Sequence, residues 1–213
     1  MAAPRFPIIT ESDARLLEPG STVELERGGH VTPLAWDTLR ARRVTVVPAG
    51  TVDPALPEDL APVTPVARVA IGADHTGLAL KAALVEHLRR EGKTVTDHGT
   101  STPDPVDYPD IASAVARAVA RREADAGIVI DGAGLGSAIA ANKIRGIRAA
   151  MCSTPTLARY AREHNGANVI SLGATLVSPA EAREIVDVWL STPTREARYL
   201  RRLLKIRALE DRF

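Results

Sequence analysis

Residues 126–148 read AGIVIDGAGLGSAIAANKIRGIR, and the order of residue types in this stretch fixes the architecture around it. Ile128-Val129-Ile130 is apolar without alternation, as in a strand covered on both faces. The run ends in a carboxylate, Asp131. Glycines follow at 132, 134 and 136, and a small, alanine-rich segment then carries Asn142 and Lys143. A buried strand here delivers one ionisable side chain to the backbone N–H groups at a helix N-terminus, an arrangement suited to a base beside an anion site.

The same grammar repeats outward. Apolar strands are predicted at 67–73, 94–97, 127–131, 147–152 and 168–172, alternating with helices at 76–91, 108–122, 134–143, 155–164, 179–190 and 194–210. In the first helix Leu80, Leu84, Val85 and Leu88 share one face. This alternation predicts a doubly wound α/β domain over 66–213: a mostly five-stranded parallel sheet in a Rossmann-like or flavodoxin-like three-layer sandwich.

Before it, residues 48–65 carry prolines at 48, 54, 57, 62 and 65 and read as an extended linker. Residues 1–47 read as a small α+β module. Val23 to Glu26 alternates as a half-exposed strand, Thr32-Pro33 opens a helix to about Arg42, and Val44 to Val47 forms another strand. So small a unit is expected to have little core and to dock on another protein.

Bulk properties exclude several classes. A net charge of +1 argues against a general nucleic-acid surface. No apolar stretch approaches the ~18–20 residues of a membrane span, and the N-terminus lacks a signal-peptide core. A lone cysteine, Cys152, rules out an internal disulfide framework and points to a reducing, cytoplasmic setting. Cys152 lies in the apolar run 149–152 and reads as an inert buried thiol.

Ligands of open α/β sheets bind at the carboxyl ends of strands where strand order reverses. With a flavodoxin-like order, the first and third strands flank that point, bringing Asp74-His75 and Asp131 to one crevice. The plainer alternative is that each aspartate only caps the helix it precedes. A dinucleotide fingerprint fits poorly, because the glycines run G-x-G-x-G-S, with Ser137 in place of a third spaced glycine.

Several ordered motifs carry a resemblance: Ala70 to Gly77, Asp107-Tyr108-Pro109, Gly132 to Lys143, Gly146 to Ala150, and Arg162-Glu163-His164-Asn165. Together they resemble the ribose-5-phosphate isomerase B family, whose relatives include the galactose-6-phosphate isomerase subunits. The resemblance covers about 67–210 and implies a metal-independent, cofactor-free aldose–ketose isomerase acting on a phosphorylated sugar through an enediolate. It implies that Asp74, His75 and Tyr108 bind the sugar, that His164 is the ring-opening acid/base, and that Asn142 and Asn165 contact substrate. The loop Gly132-Ala133-Gly134, with Gly136 and Ser137, would stabilise the enediolate oxygen, and Arg198 with Arg202 would clamp the phosphate.

The chain departs from the family at several positions. Many members have cysteine at the position of Asp131, and others have glutamate at that of Ser137. A hydroxyl residue is usual at Ala133, an arginine at Thr175, and often a histidine at Tyr199. Asp131 is then the candidate base, as a carboxylate is in triosephosphate isomerase.

His164 precedes the fifth strand and so falls at the opposite sheet edge from Asp131. Together with the family's pattern, this implies a homodimer, or a tetramer built on it, whose sites are shared between subunits. For the N-terminal module there is only a faint likeness to short segments of bacterial-microcompartment-associated proteins. Ribose 5-phosphate/ribulose 5-phosphate is the default substrate pair. Another sugar phosphate, or a non-catalytic sugar-phosphate sensor or assembly role, are the alternatives.

Overall fold

The computed structural model describes residues 3–49 and 60–210, and the chain divides into two units, 1–57 and 58–213. In the second unit the strands are β4 (Arg68–Ala73), β5 (Thr94–Asp97), β6 (Ala126–Asp131), β7 (Ala149–Met151) and β8 (Val169–Gly173). Between and after them lie α3 (Leu78–Arg90), α4 (Tyr108–Ala120), α5 (Leu135–Ala141), α6 (Pro155–Asn165), α7 (Pro179–Ser191) and α8 (Ala197–Glu210). All strand pairs are parallel, in the order β5-β4-β6-β8-β7. The expected pairing of this domain's first and third strands is present. Its last two strands are transposed relative to the flavodoxin-like order, so the short β7 takes the edge and the fully buried β8 lies inside.

Alternation along β6 shows why its sequence is apolar throughout. Ile128 and Ile130 enter a core with Leu84 of α3, Ala158 of α6 and Trp189 of α7, whereas Val129 enters a second core with Val115 of α4 and Ala141 of α5. Both faces are therefore sheathed by helices, the three-layer arrangement the sequence predicts. The aromatic-poor composition has a structural counterpart. Alanines 112, 116 and 118 line α4, which packs so close to the sheet that a Cβ on Gly72 would stand 2.6 Å from Ile111. Among the described residues no helix is long and apolar enough to cross a membrane.

The first unit contains more than the sequence reading found: β1 (Arg5–Ile9), α1 (Glu11–Leu16), β2 (Thr22–Val31), α2 (Pro33–Ala41) and β3 (Thr45–Pro48). The three strands form a parallel sheet, β1-β2-β3, because a helix crosses over between each pair. β1 and α1 were not foreseen. Their signal was the Thr10/Asp13 capping box, which the structure contains. The expectation of little core is also corrected, since Ile9, Ala14, Leu17, Val23, Ala35, Leu39 and Val44 form a buried cluster.

Of the proline-rich stretch, residues 50–59 lie outside the described residues. The part from 60 onward is not a free tether. Leu60 is buried, Arg148 donates to its carbonyl at 3.1 Å, and Arg162 donates to the Val63 carbonyl at 2.9 Å. Arg162 is fully buried, donates also to Ala167 O at 2.7 Å, and lies 4.9 Å from the Trp189 ring centroid. Burial, followed by the nearby charge of Arg148, pushes its guanidinium down to about 10. Arg162 thus works as a multi-point fastener between α6, α7 and the strap at 60–65.

Cys152, buried beside β7, has its thiol pushed up from an ordinary 9.0 to about 12 by desolvation. The native state therefore disfavours the thiolate. Its contribution to stability is intact below the unfolded thiol's pKa and is lost as pH rises from there towards about 12.

Two outcomes test this packing. Arg162→Ala leaves two carbonyls without their donor and a gap beside Trp189, and should lower unfolding free energy by roughly 3 kcal/mol in chemical denaturation. The Cys152 thiol should resist an aromatic disulfide reagent at about pH 8 in the folded protein and react promptly once guanidinium unfolds it.

Candidate active site

β4 and β6 lie side by side with Ala73 opposite Ile130, so the next residues, Asp74 and Asp131, emerge together at the carboxyl edge. The Asp74 N–H donates to Ile130 O at 3.1 Å, which ties the two strand ends. From here the chain passes from β4 to β5 on one side and from β6 to β7 on the other, and the crevice opens at that reversal.

Asp131 is 5% exposed and its carboxylate is held by its own loop. Oδ1 accepts N–H bonds from Ala133 at 2.9 Å and from Gly134, and Oδ2 accepts from Ser137 at 2.8 Å. The capping geometry that was the plainer alternative is therefore present. A carboxylate has about four acceptor positions, so three bonds leave one on Oδ2. Asp131 also takes donors that the sequence reading gave to an enediolate. Of the first turn of α5, the N–H groups of Leu135 and Gly136 are the ones it does not engage.

Gly134 makes this loop possible. Its φ is +75°, and a Cβ there would stand 2.8 Å from the Leu172 carbonyl carbon. Its own carbonyl accepts from the buried Ser171 hydroxyl at 2.6 Å. Gly136 has a different reason to be glycine, since a Cβ would lie 2.5 Å from the Tyr108 ring. Tyr108 is thereby laid across the start of α5. The Gly132 carbonyl accepts from the Thr175 hydroxyl at 2.7 Å and the Thr175 N–H at 3.0 Å. Thr175 thus braces the loop from the turn after β8.

On the β4 side, Asp74 is buried and its Oδ1 accepts the Thr76 N–H at 2.9 Å and the Thr76 hydroxyl at 2.5 Å. His75 is half-buried, and its Nδ1 accepts the Val106 N–H at 3.3 Å. That bond leaves the proton of a neutral ring on Nε2. A Cβ on Gly132 would meet the Thr76 hydroxyl at 3.8 Å, so the two loops face each other. Asp74, His75, Tyr108, Asp131 and the loop 132–137 form one constellation.

Asn142 is placed elsewhere. Its amide donates to Ala149 O and accepts from Ala149 N, both at 2.8 Å. β7 is an edge strand, and this side chain continues its backbone ladder. These two bonds give the Asn142 side chain a structural role and use one of its two amide N–H donors.

His164 and Asn165 end α6, below the start of β8, with Arg198 and Arg202 on α8. Asn165 donates to Tyr160 O at 3.1 Å, and His164 stacks between Tyr160 and Tyr199. The sequence expectation that His164 and Asp131 occupy opposite ends of the sheet agrees with these positions. Sequence reasoning missed Thr76, Ser171 and Tyr160. A lone hydroxyl within the apolar run Val169-Ile170-Ser171-Leu172 was the readable signal for Ser171.

The model of the Ribose/Galactose Isomerase family matches residues 69–206. Ribose-5-phosphate isomerase B of Escherichia coli is 45% identical over 145 residues, covering 68% of this chain and 97% of that protein. D-erythrulose-4-phosphate isomerase of Pectobacterium atrosepticum is 42% identical over 124 residues, 57% of this chain and 81% of that one. Among solved structures, the ribose-5-phosphate isomerase B of Clostridium thermocellum aligns with a TM-score of 0.67 at 45% identity, covering 68% of this chain and 98% of that one. Similarity at this level, over nearly the full length of proteins that share the sheet and its switch-point crevice, places the chain in the ribose/galactose isomerase family of sugar-phosphate isomerases.

Proposed function

We propose that this protein interconverts an aldose phosphate and its ketose phosphate, with ribose 5-phosphate/ribulose 5-phosphate as the first pair to test, and that Asp131 is the proton-transfer base. The observation that carries this reading is the Asp131 carboxylate, buried at the switch point beside Asp74 and His75 with one acceptor position open. The names of the relatives supply the substrate class.

In this reading His164 of the partner subunit opens the sugar ring as acid/base, its imidazolium donating a proton to the ring oxygen and the imidazole then taking up the proton of the anomeric hydroxyl. Asp131 then removes the C2 proton of the aldose. As the carboxylate becomes an acid its pull on the Ala133, Gly134 and Ser137 N–H groups falls, while negative charge appears on the enediolate oxygen. The same nest of N–H groups, with those of Leu135 and Gly136, can follow that charge. Passage of the hydroxyl proton from O2 to O1 and return of the abstracted proton to C1 give the ketose and restore the carboxylate. Arg198 and Arg202, exposed on α8, are available to a second copy's phosphate.

A second reading is a sugar-phosphate sensor or assembly protein. It is favoured by the three backbone bonds of Asp131, which would suit a cap as well as a base. Exchange of substrate C–H with deuterated solvent, followed by NMR across pentose and hexose phosphates, separates the two. Binding without exchange would sink the catalytic reading.

If Asp131 is the base, Asp131→Asn should reduce exchange by about a hundredfold to ten-thousandfold, and near-normal exchange in a folded variant would rule Asp131 out. Shared sites have their own test. Asp131→Asn and His164→Asn homodimers should each be inactive, yet after subunit exchange should regain about a quarter of wild-type activity, because each mixed dimer has one intact site. No recovery despite demonstrated mixing would place both residues in the same subunit's site.

A further inference from the structure

Tyr199 touches every group that the proposed mechanism draws from this end of the molecule. Its ring lies 4.4 Å from the His164 ring at a 34° tilt, while Tyr160 stacks on the other side at 4.8 Å and 14°. Its hydroxyl oxygen accepts a bond from Arg198 Nη2 at 3.0 Å. The guanidinium carbons of Arg198 and Arg202 lie 4.7 and 5.7 Å from its ring centroid. Two carboxylates complete the surroundings: Glu196 pairs with Arg198 Nε at 2.9 Å, and Glu163 lies 3.8 Å from His164 Nε2.

The helix geometry makes this arrangement specific. Tyr199 and Leu203, one turn apart, are the buried residues of α8 and face α6. Leu203 sits against Gly166, the left-handed cap of α6, where a Cβ would come within 2.6 Å of it. This close approach presses the Tyr199 ring onto His164, two residues before the cap. Arg198 and Arg202 flank Tyr199 and remain exposed. Both cations can therefore meet an anion from outside while still resting on the ring that covers the imidazole.

We propose that Tyr199 is a positioning residue that couples phosphate capture by Arg198 and Arg202 to the orientation of the His164 imidazole. The inference rests on the reading of the site given above. The aromatic face does two separable things. The hydroxyl fixes the Arg198 fork, and the tilted ring, with the stacked Tyr160 opposite, confines the imidazole between two aromatic walls. When an anion draws the guanidinium groups toward it, their contacts with the ring change, and the ring passes that change to His164.

The experiment uses the full chain carrying Tyr199→Phe or Tyr199→Leu, with ribose 5-phosphate as substrate and inorganic phosphate as ligand. Tyr199→Phe keeps the wall and loses the hydroxyl, so KM and the phosphate Kd should rise roughly fivefold to tenfold and kcat should fall less than KM rises. Tyr199→Leu removes the wall, and kcat should fall by a further factor of about ten. Identical kinetics in the two variants, whether unchanged or equally impaired, would overturn the proposal, and the Phe variant keeps it testable should the Leu variant misfold.

A second arm needs no turnover. Inorganic phosphate should move the His164 ring-proton resonances in the wild type and leave them still in Tyr199→Leu. Resonances that ignore phosphate in the wild type, or that still respond in the Leu variant, overturn the coupling. Absence of turnover with the coupling intact overturns only the isomerase reading.

Discussion

The carboxylate of Asp131, bonded to the N–H groups of Ala133, Gly134 and Ser137, is the constraint from which the rest of the site takes its shape. It converts the end of β6 into the start of α5 within three residues, forcing Gly134 to a positive φ and into contact with the β8 backbone. Ser171 and Thr175 then fasten the same loop from β8 and the turn beyond it. A loop so braced has little freedom left, which suits a nest of N–H groups that must be in place before charge develops. The cap and the proposed base are therefore one side chain: holding the fold and presenting a single open lone pair are consequences of the same three bonds.

Much of this was legible in the sequence, for a physical reason. A strand covered on both faces must be apolar at every position, so Ile128-Val129-Ile130 and Val169-Ile170 announced themselves, and a glycine-punctuated turn after the carboxylate announced the crevice. The residues that went unread have equally physical reasons. β1 is only five residues long with a proline inside it, and α1 is one turn and a half, too short for periodicity to register. The exchange of the last two strands depends on which one is buried from both sides, a property of the assembled sheet. The structural role of Asn142 went unread because nothing local reveals that Ala149 lies on an open edge awaiting an amide.

The chemistry proposed for this chain is divided between two ends of the subunit. The proposed proton transfer lies at the carboxyl edge of the sheet, where Asp74, His75 and Asp131 meet. The imidazole and the cations belong to the opposite end, where α6 and α8 pack through Tyr199 and Leu203. The two ends are stabilised by different physics. Backbone hydrogen bonds fix the first and aromatic stacking fixes the second, so one can vary without the other losing its geometry.

One consequence follows from both Asp131 oxygens being fastened. In the proposed mechanism, a carboxylate that cannot swing addresses only one face of the planar O1–C1–C2–O2 enediolate. The proposed proton removal and return are then suprafacial, on the face turned toward Asp131. In the reverse direction, from ketose to aldose, the handedness created at C2 would be written into the backbone of residues 131–137, before any contact with the remainder of the sugar.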